Sequence, residues 1–197
     1  MKLSKDETIK ATIIEAATTA FQKWGLHKTT MEDIAKAAGK GKSTLYYYYT
    51  SKEKIFYTVM NQAIGRIIDI SRFKMTEEKT ASGKLKAYIV TLTEEVGKIA
   101  SLYEIVRGEI REKPMLINQL RCEFDTQEID LLRAIIASGV RSGEFKKYAE
   151  AEISAVAYVI TCATRGLLKD LYIDNVVAYN PEIIHIFVNL IFHGLKN

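Results

Sequence analysis

Gly41-Lys42-Ser43, followed by Thr44, Leu45 and the run Tyr46 to Tyr49, gathers side chains that bind phosphates or base edges. The lysine supplies an ammonium, and the serine, threonine and tyrosines supply hydroxyls that donate or accept. Two chemistries compete for these residues. Gly-Lys-Ser closes a nucleotide-binding loop, and the same residues on a helix suit the major groove of DNA. A phosphate loop needs a glycine five residues before its Gly-Lys pair and a buried strand leading into it. Lys36 occupies the glycine position, and Met31, Ile34, Ala35 and Ala38 recur at helical spacing with Glu32, Asp33 and Lys36 opposite. The nucleotide reading fails on both counts.

A helix beginning at Lys42 has two faces. At about 100° per residue, Lys42, Ser43, Tyr46 and Tyr47 share one side, Leu45 and Tyr49 the other, with Thr44 and Tyr48 at the margins. Leu45 and Tyr49 can anchor the helix while the first four enter a groove. Three further elements must position it. Ile9, Ile13, Ala16, Ala17, Ala20, Phe21 and Trp24 form the stripe of a first helix, Lys5 to Trp24, stopped by a left-handed Gly25. Trp24 is expected in the core. Thr30 caps a short second helix ending at Gly39, with Asp33 three residues on as a partial capping box. A fourth helix is expected to open at Thr50 as cap with Glu53 completing its box. Two short helices across a tight glycine turn make a helix-turn-helix.

Charge supports this placement. Residues 1–54 hold ten lysines against six acids, which accounts for the whole net charge of +4, and residues 55–197 hold 18 basic and 18 acidic residues. Positive charge concentrated on one small unit is the footprint of a DNA binder. The 197 residues contain only two prolines, and apolar residues recur at three and four almost throughout, so the fold class is all-α. Nine helices are expected, including one through "LYEIVRGEIRE". Residues 1–50 form the helix-turn-helix domain with its motif at about 30–49, residues 51–72 a connecting helix, and residues 73–197 a second helical domain. Cys122 and Cys162 lack metal-ligand spacing and point to a reducing, cytoplasmic compartment. Asp6, Glu7 and Glu15 interrupt any signal-peptide pattern. The uncharged runs Ile153–Thr164 and Ile183–Leu195 fall short of the ~20 residues a membrane span needs, so no membrane partner is expected. His27, His185 and His193 form no metal cluster, and no catalytic constellation is visible, so neither an enzyme, a metal nor a cofactor is expected.

The segment "TTMEDIAKAAGKGKSTLYYYYTSKEKIF" resembles the DNA-binding motif of the TetR family of bacterial transcriptional regulators. The family pattern places TT before an IA-x-x-AG helix, then a short turn, T-L-Y with aromatic residues, and a K-E pair opening the fourth helix. The match covers about Gly25 to Phe56. It departs at Lys40, where the family often has an apolar residue, and at Gly41, where it often has serine; glycine is also a good N-cap. The resemblance implies that Thr30 meets a phosphate and that Lys42, Ser43, Thr44 and Tyr46 face base edges or adjoining phosphates. It further implies that Tyr47 and Tyr48 give hydroxyls to the DNA backbone and that Lys52 clamps another phosphate. Lys40 would add one more phosphate contact.

The same resemblance implies a repressor that binds a palindromic operator on double-stranded DNA as a homodimer and is released by a small-molecule effector. The last two helices carry stripes wide enough for either a monomer's core or a four-helix bundle between two chains. Ile160, Leu167, Phe187, Leu190 and Ile191 are the expected interface. Tyr88, Tyr103, Arg107, Phe124, Tyr158, Cys162 and Arg165 lie on helices that could line an effector cavity. Arg165, within an apolar helix, suits an anionic ligand, a glutamate partner or the dimer seam.

Overall fold

A computed structural model describes residues 4–102 and 114–196 of the chain. Eight helices are present among these residues: α1 Lys5–Lys28, α2 Met31–Ala37, α3 Lys42–Tyr48, α4 Lys52–Thr76, α5 Ala81–Leu102, α6 Pro114–Ser142, α7 Glu150–Tyr172 and α8 Pro181–Leu195. The expected ninth helix falls at residues 103–113, outside the described part. The all-α class stands.

Local chemistry sets the boundaries. Ser4 and Glu7 close a capping box on α1, with the Glu7 N–H donating to Ser4 Oγ at 3.2 Å and the Ser4 N–H to the Glu7 carboxylate at 2.7 Å. Gly25 breaks α1 at φ 79°, ψ 174°. This is a glycine-only region rather than the left-handed helical well, because a Cβ would collide with the backbone there. The break changes which residue reaches the core. Leu26 is buried, while Trp24, expected inside, is 46% exposed with the Lys23 ammonium 4.8 Å from its ring. Gly39, at φ 62°, makes the turn from α2 to α3. At α4 the cap is Ser51 rather than Thr50: its Oγ accepts from the Lys54 N–H at 3.3 Å.

The chain divides into two compact units. One comprises Met1–Ile64 with Ile99–Leu120, the other Gly65–Lys98 with Arg121–Asn197. In the first, α1, α2, α3 and the start of α4 close on Ile13, Ala17, Phe21, Ile34, Leu45, Ile55 and Phe56, all 0% exposed. Phe21 and Phe56 meet edge to face at 5.3 Å. The second unit packs around Leu85, Tyr88, Ile89, Leu132, Ile136 and Ala157.

Helix α7 is long and apolar enough to cross a membrane by length and composition, which its broken uncharged runs do not reveal. Arg165 in its midst pairs with Asp125 of α6, and Ile153, Ala157, Thr161, Thr164 and Leu171 are buried. Those contacts are with protein.

Candidate nucleic-acid interface

Helix α3 is held from below by Leu45, which is fully buried, and by the half-buried Tyr48 and Tyr49 packed on the same core. Its first residue, Lys42, follows the N-cap Gly41, and its other face is open: Ser43 is exposed, Tyr46 is 45% exposed and Tyr47 is 79% exposed. Thr44 and Lys40 lie half-buried at the margin. Lys42, Ser43, Tyr46 and Tyr47 therefore do share one solvent-facing side. Their donors and acceptors can exchange water for a polar partner without disturbing the core.

Three carboxylates tune this face, and sequence reasoning assigned a role beside it only to Asp33, as a partial cap. Glu32, from α2, accepts from Lys42 Nζ at 2.6 Å, which raises the lysine pKa and holds its charge on the α2 side. Asp6, from the first turn of α1, accepts from the Tyr48 hydroxyl at 2.7 Å, and this bond chiefly pushes the phenol up to about 12. Asp33 accepts from the Thr30 hydroxyl at 2.6 Å and the Thr30 N–H at 2.9 Å, while its own N–H donates to Thr30 Oγ1 at 3.1 Å. These bonds hold the Asp33 carboxyl below the usual range, the side-chain bond first. The partial capping box read from the sequence is thus complete, and it commits the Thr30 hydroxyl within the chain. Asp6 and Glu32, each the second residue of its helix, gave no motif to read.

Lys52 departs most from its expected place. Its Nζ donates to the carbonyls of Leu26 at 2.7 Å, His27 at 3.0 Å and Thr29 at 3.0 Å. An ammonium has three donors, and here backbone oxygens occupy all three. The phosphate clamp expected of Lys52 has no free donor in this structure.

In the second unit the residues named for a cavity separate. Tyr103 and Arg107 lie outside the described residues. Tyr88 is buried and donates its hydroxyl to Glu128 Oε1 at 3.3 Å, and burial pushes its pKa up. Arg165 pairs with Asp125 at 2.6 Å and also donates to the Thr161 carbonyl at 3.3 Å, so its acid partner is an aspartate rather than the glutamate expected. Phe124 and Cys162 are half-buried. Tyr158 is 56% exposed on α7, next to the 61% exposed Val159. Glu128 was missed. Burial raises its carboxyl pKa to about 7, opposed chiefly by the Arg165 charge. Its signal was an acid standing four residues before Leu132 on the stripe that continues to Ile135 and Ile136, a core slot. A groove of about 130 Å³ opens elsewhere, lined by Lys86, Glu94, Tyr179, Ile184 and His185 among others, and includes none of the expected ligand residues. Among the described residues no group of three or more His, Cys, Asp or Glu could hold a metal ion.

Of the expected dimer residues, Ile160 needs correction. Ile160 is 5% exposed and belongs to the chain's own core. Leu167, Phe187 and Ile191 are half-buried and Leu190 is 65% exposed, next to the 56% exposed Ile186.

A capped short helix, a glycine turn and a second helix with an open polar face define a helix-turn-helix protein. Residues 13–59 match the family model for bacterial regulatory proteins of the tetR family. The chain is 27% identical over 135 residues to the fatty acid metabolism regulator protein of Bacillus subtilis, covering 68% of this chain and 70% of that protein. It is 30% identical over 141 residues to the transcriptional regulator RutR of Escherichia coli K12, covering 68% of this chain and 63% of that protein. A transcriptional regulator from Cytophaga hutchinsonii shares the fold with a TM-score of 0.71 at 23% identity, over 94% of this chain and 97% of that one. The chain belongs to the TetR family of bacterial regulatory proteins.

Proposed function

We propose that this protein is a repressor that binds a palindromic operator as a homodimer in the cytoplasm and is released by a small-molecule effector. The observation that carries the reading is the face of α3. Lys42, Ser43, Tyr46 and Tyr47 stand together in solvent while Leu45 anchors the opposite side at 0% exposure. Lysine donates to guanine O6 and N7, and hydroxyls serve either base edges or phosphates. Lys40, Thr44 and the N-terminal end of α2 at Thr30 are proposed to flank these contacts.

Two copies are needed for paired half-sites, because the symmetry of the operator mirrors that of the protein. The exposed apolar residues Val159, Ile186 and Leu190 support a seam along α7 and α8, with Leu167, Phe187 and Ile191 at its edge. The effector is proposed to enter the second unit near Tyr88, Phe124, Cys162 and Arg165, where phenol, guanidinium and carboxyl groups stand inside the packing. Genomic DNA fragments captured by the purified chain and footprinted test the reading. Two symmetric half-sites spaced by a whole number of helical turns are expected, each turn about 10 bp. Capture of no fragment above background, or a protected site without symmetry, would contradict it.

A further inference from the structure

The first residue of α4 closes a corner made by the end of α1. Leu26, His27 and Thr29 offer Lys52 Nζ their carbonyls at 2.7, 3.0 and 3.0 Å. Thr29 is the C-cap of α1. Carbonyls at a helix C-terminus lack intrahelical partners and carry the negative end of the helix dipole, so a cation there is favourable. The corner is closed from inside as well. The Thr29 hydroxyl, 1% exposed, donates to the Gly25 carbonyl at 2.6 Å across the break in α1. The next residue, Thr30, caps α2 through Asp33. One ammonium therefore ties the end of α1, the entry to α2 and the start of α4.

We infer that Lys52 is a positioning residue, which pins the α1–α2 corner to α4 and so fixes the angle at which α2 and α3 meet DNA, and that it makes no phosphate contact. The inference rests on α3 being the reading helix. A phosphate oxygen could reach the ammonium only by displacing one of three carbonyls, two of them in part-buried bonds. Hydrogen bonds to charged groups are the stronger kind, so displacing one of these is costly. Lysine suits the corner because its three donors diverge from a single atom. Arginine offers a planar fork, which cannot meet three carbonyls around one point.

The test compares wild type, Lys52→Met and Lys52→Arg as full-length proteins. Binding to a genomic fragment captured by the wild type is measured over a salt series, and amide hydrogen exchange is measured without DNA across Leu26 to Asp33. Lys52→Met should bind roughly tenfold more weakly, the worth of one charge-assisted bond, with the slope of log Kd against log salt unchanged and faster exchange at the corner. Lys52→Arg should not restore the exchange or the affinity. A slope flatter by about 0.9, the signature of one lost phosphate contact, or full rescue by Lys52→Arg, would overturn the inference. Unchanged affinity together with unchanged exchange would overturn it too. If the wild type captures no DNA, the reading of α3 fails, and the exchange comparison alone decides whether Lys52 pins the corner.

Discussion

Beneath α3 the packed cluster running from Ile13 to Met60 is built of Ile, Ala, Phe, Leu, Met and Val side chains, and among the described residues of that unit Thr29 alone is a buried polar residue. The interior of the second unit instead buries Ser71, Thr93, Thr161, Thr164 and Glu128 among its apolar residues, with Tyr88 bonded to the acid. An apolar core has no polar group to satisfy and specifies one packing by shape, whereas a polar interior holds groups that respond to protons or ligands. The first unit is built to present a fixed surface. The second carries titratable chemistry inside.

Breaking the apolar side of that comparison should have the largest effect. Leu45→Ala removes a fully buried anchor, and such truncations cost about 2–5 kcal/mol with the cavity left behind. Denaturant unfolding should show the loss, and binding to all DNA sequences should fall together. Retained stability would mean that α3 is held by something other than the core beneath it.

The polar side is sharpened through pH. The Glu128 carboxyl titrates at about 7 in the folded chain against 4.5 for the unmodified group, so the folded state binds this proton more tightly. Stability from Glu128 is complete below about pH 4.5 and is lost as pH rises through about 7, a total on the order of 3 kcal/mol. Arg72 and Arg165 oppose the shift, Asp125 adds to it and Tyr88 donates to the carboxyl. Glu128→Gln keeps the shape without the titration. Its melting temperature should change less than that of the wild type between pH 5.5 and pH 8, and equal pH dependence in the two proteins would remove Glu128 from this role.

A smaller effect is expected at the surface. Thr30→Ala removes the cap that completes the box with Asp33, for a loss of about 1 kcal/mol. Thermal unfolding should register it, and an unchanged midpoint would show that the box contributes nothing measurable.

The same contrast explains what the sequence could show. Leu45, Thr30, Gly39 and the open row on α3 were legible because a helix repeats every 3.6 residues and because capping and turn residues act locally. Lys52 was misplaced because its partners are backbone oxygens some 25 residues away, and backbone carbonyls leave no mark in side-chain pattern. Asp6 stood in the sequence only as a break in any signal-peptide pattern and Glu32 only as a residue opposite an apolar stripe, until the fold brought them to Tyr48 and Lys42. On α7 both faces are apolar, so periodicity could not tell Ile160 in the chain's own core from Val159 on the open side. Glu128 was an acid in a core slot, visible in principle, but only its burial made it unusual.

Selection from a random DNA library with wild type, Lys42→Ala, Tyr46→Phe and Leu45→Ala tests the central claim, that the exposed side of α3 reads bases. Lys42→Ala and Tyr46→Phe should each relax the preference at one position of each half-site and weaken the best site by about ten- to a hundredfold. Leu45→Ala should lose binding without a change of preferred sequence. If Lys42→Ala and Tyr46→Phe both select the wild-type sequence with wild-type stringency, α3 is not the reading helix.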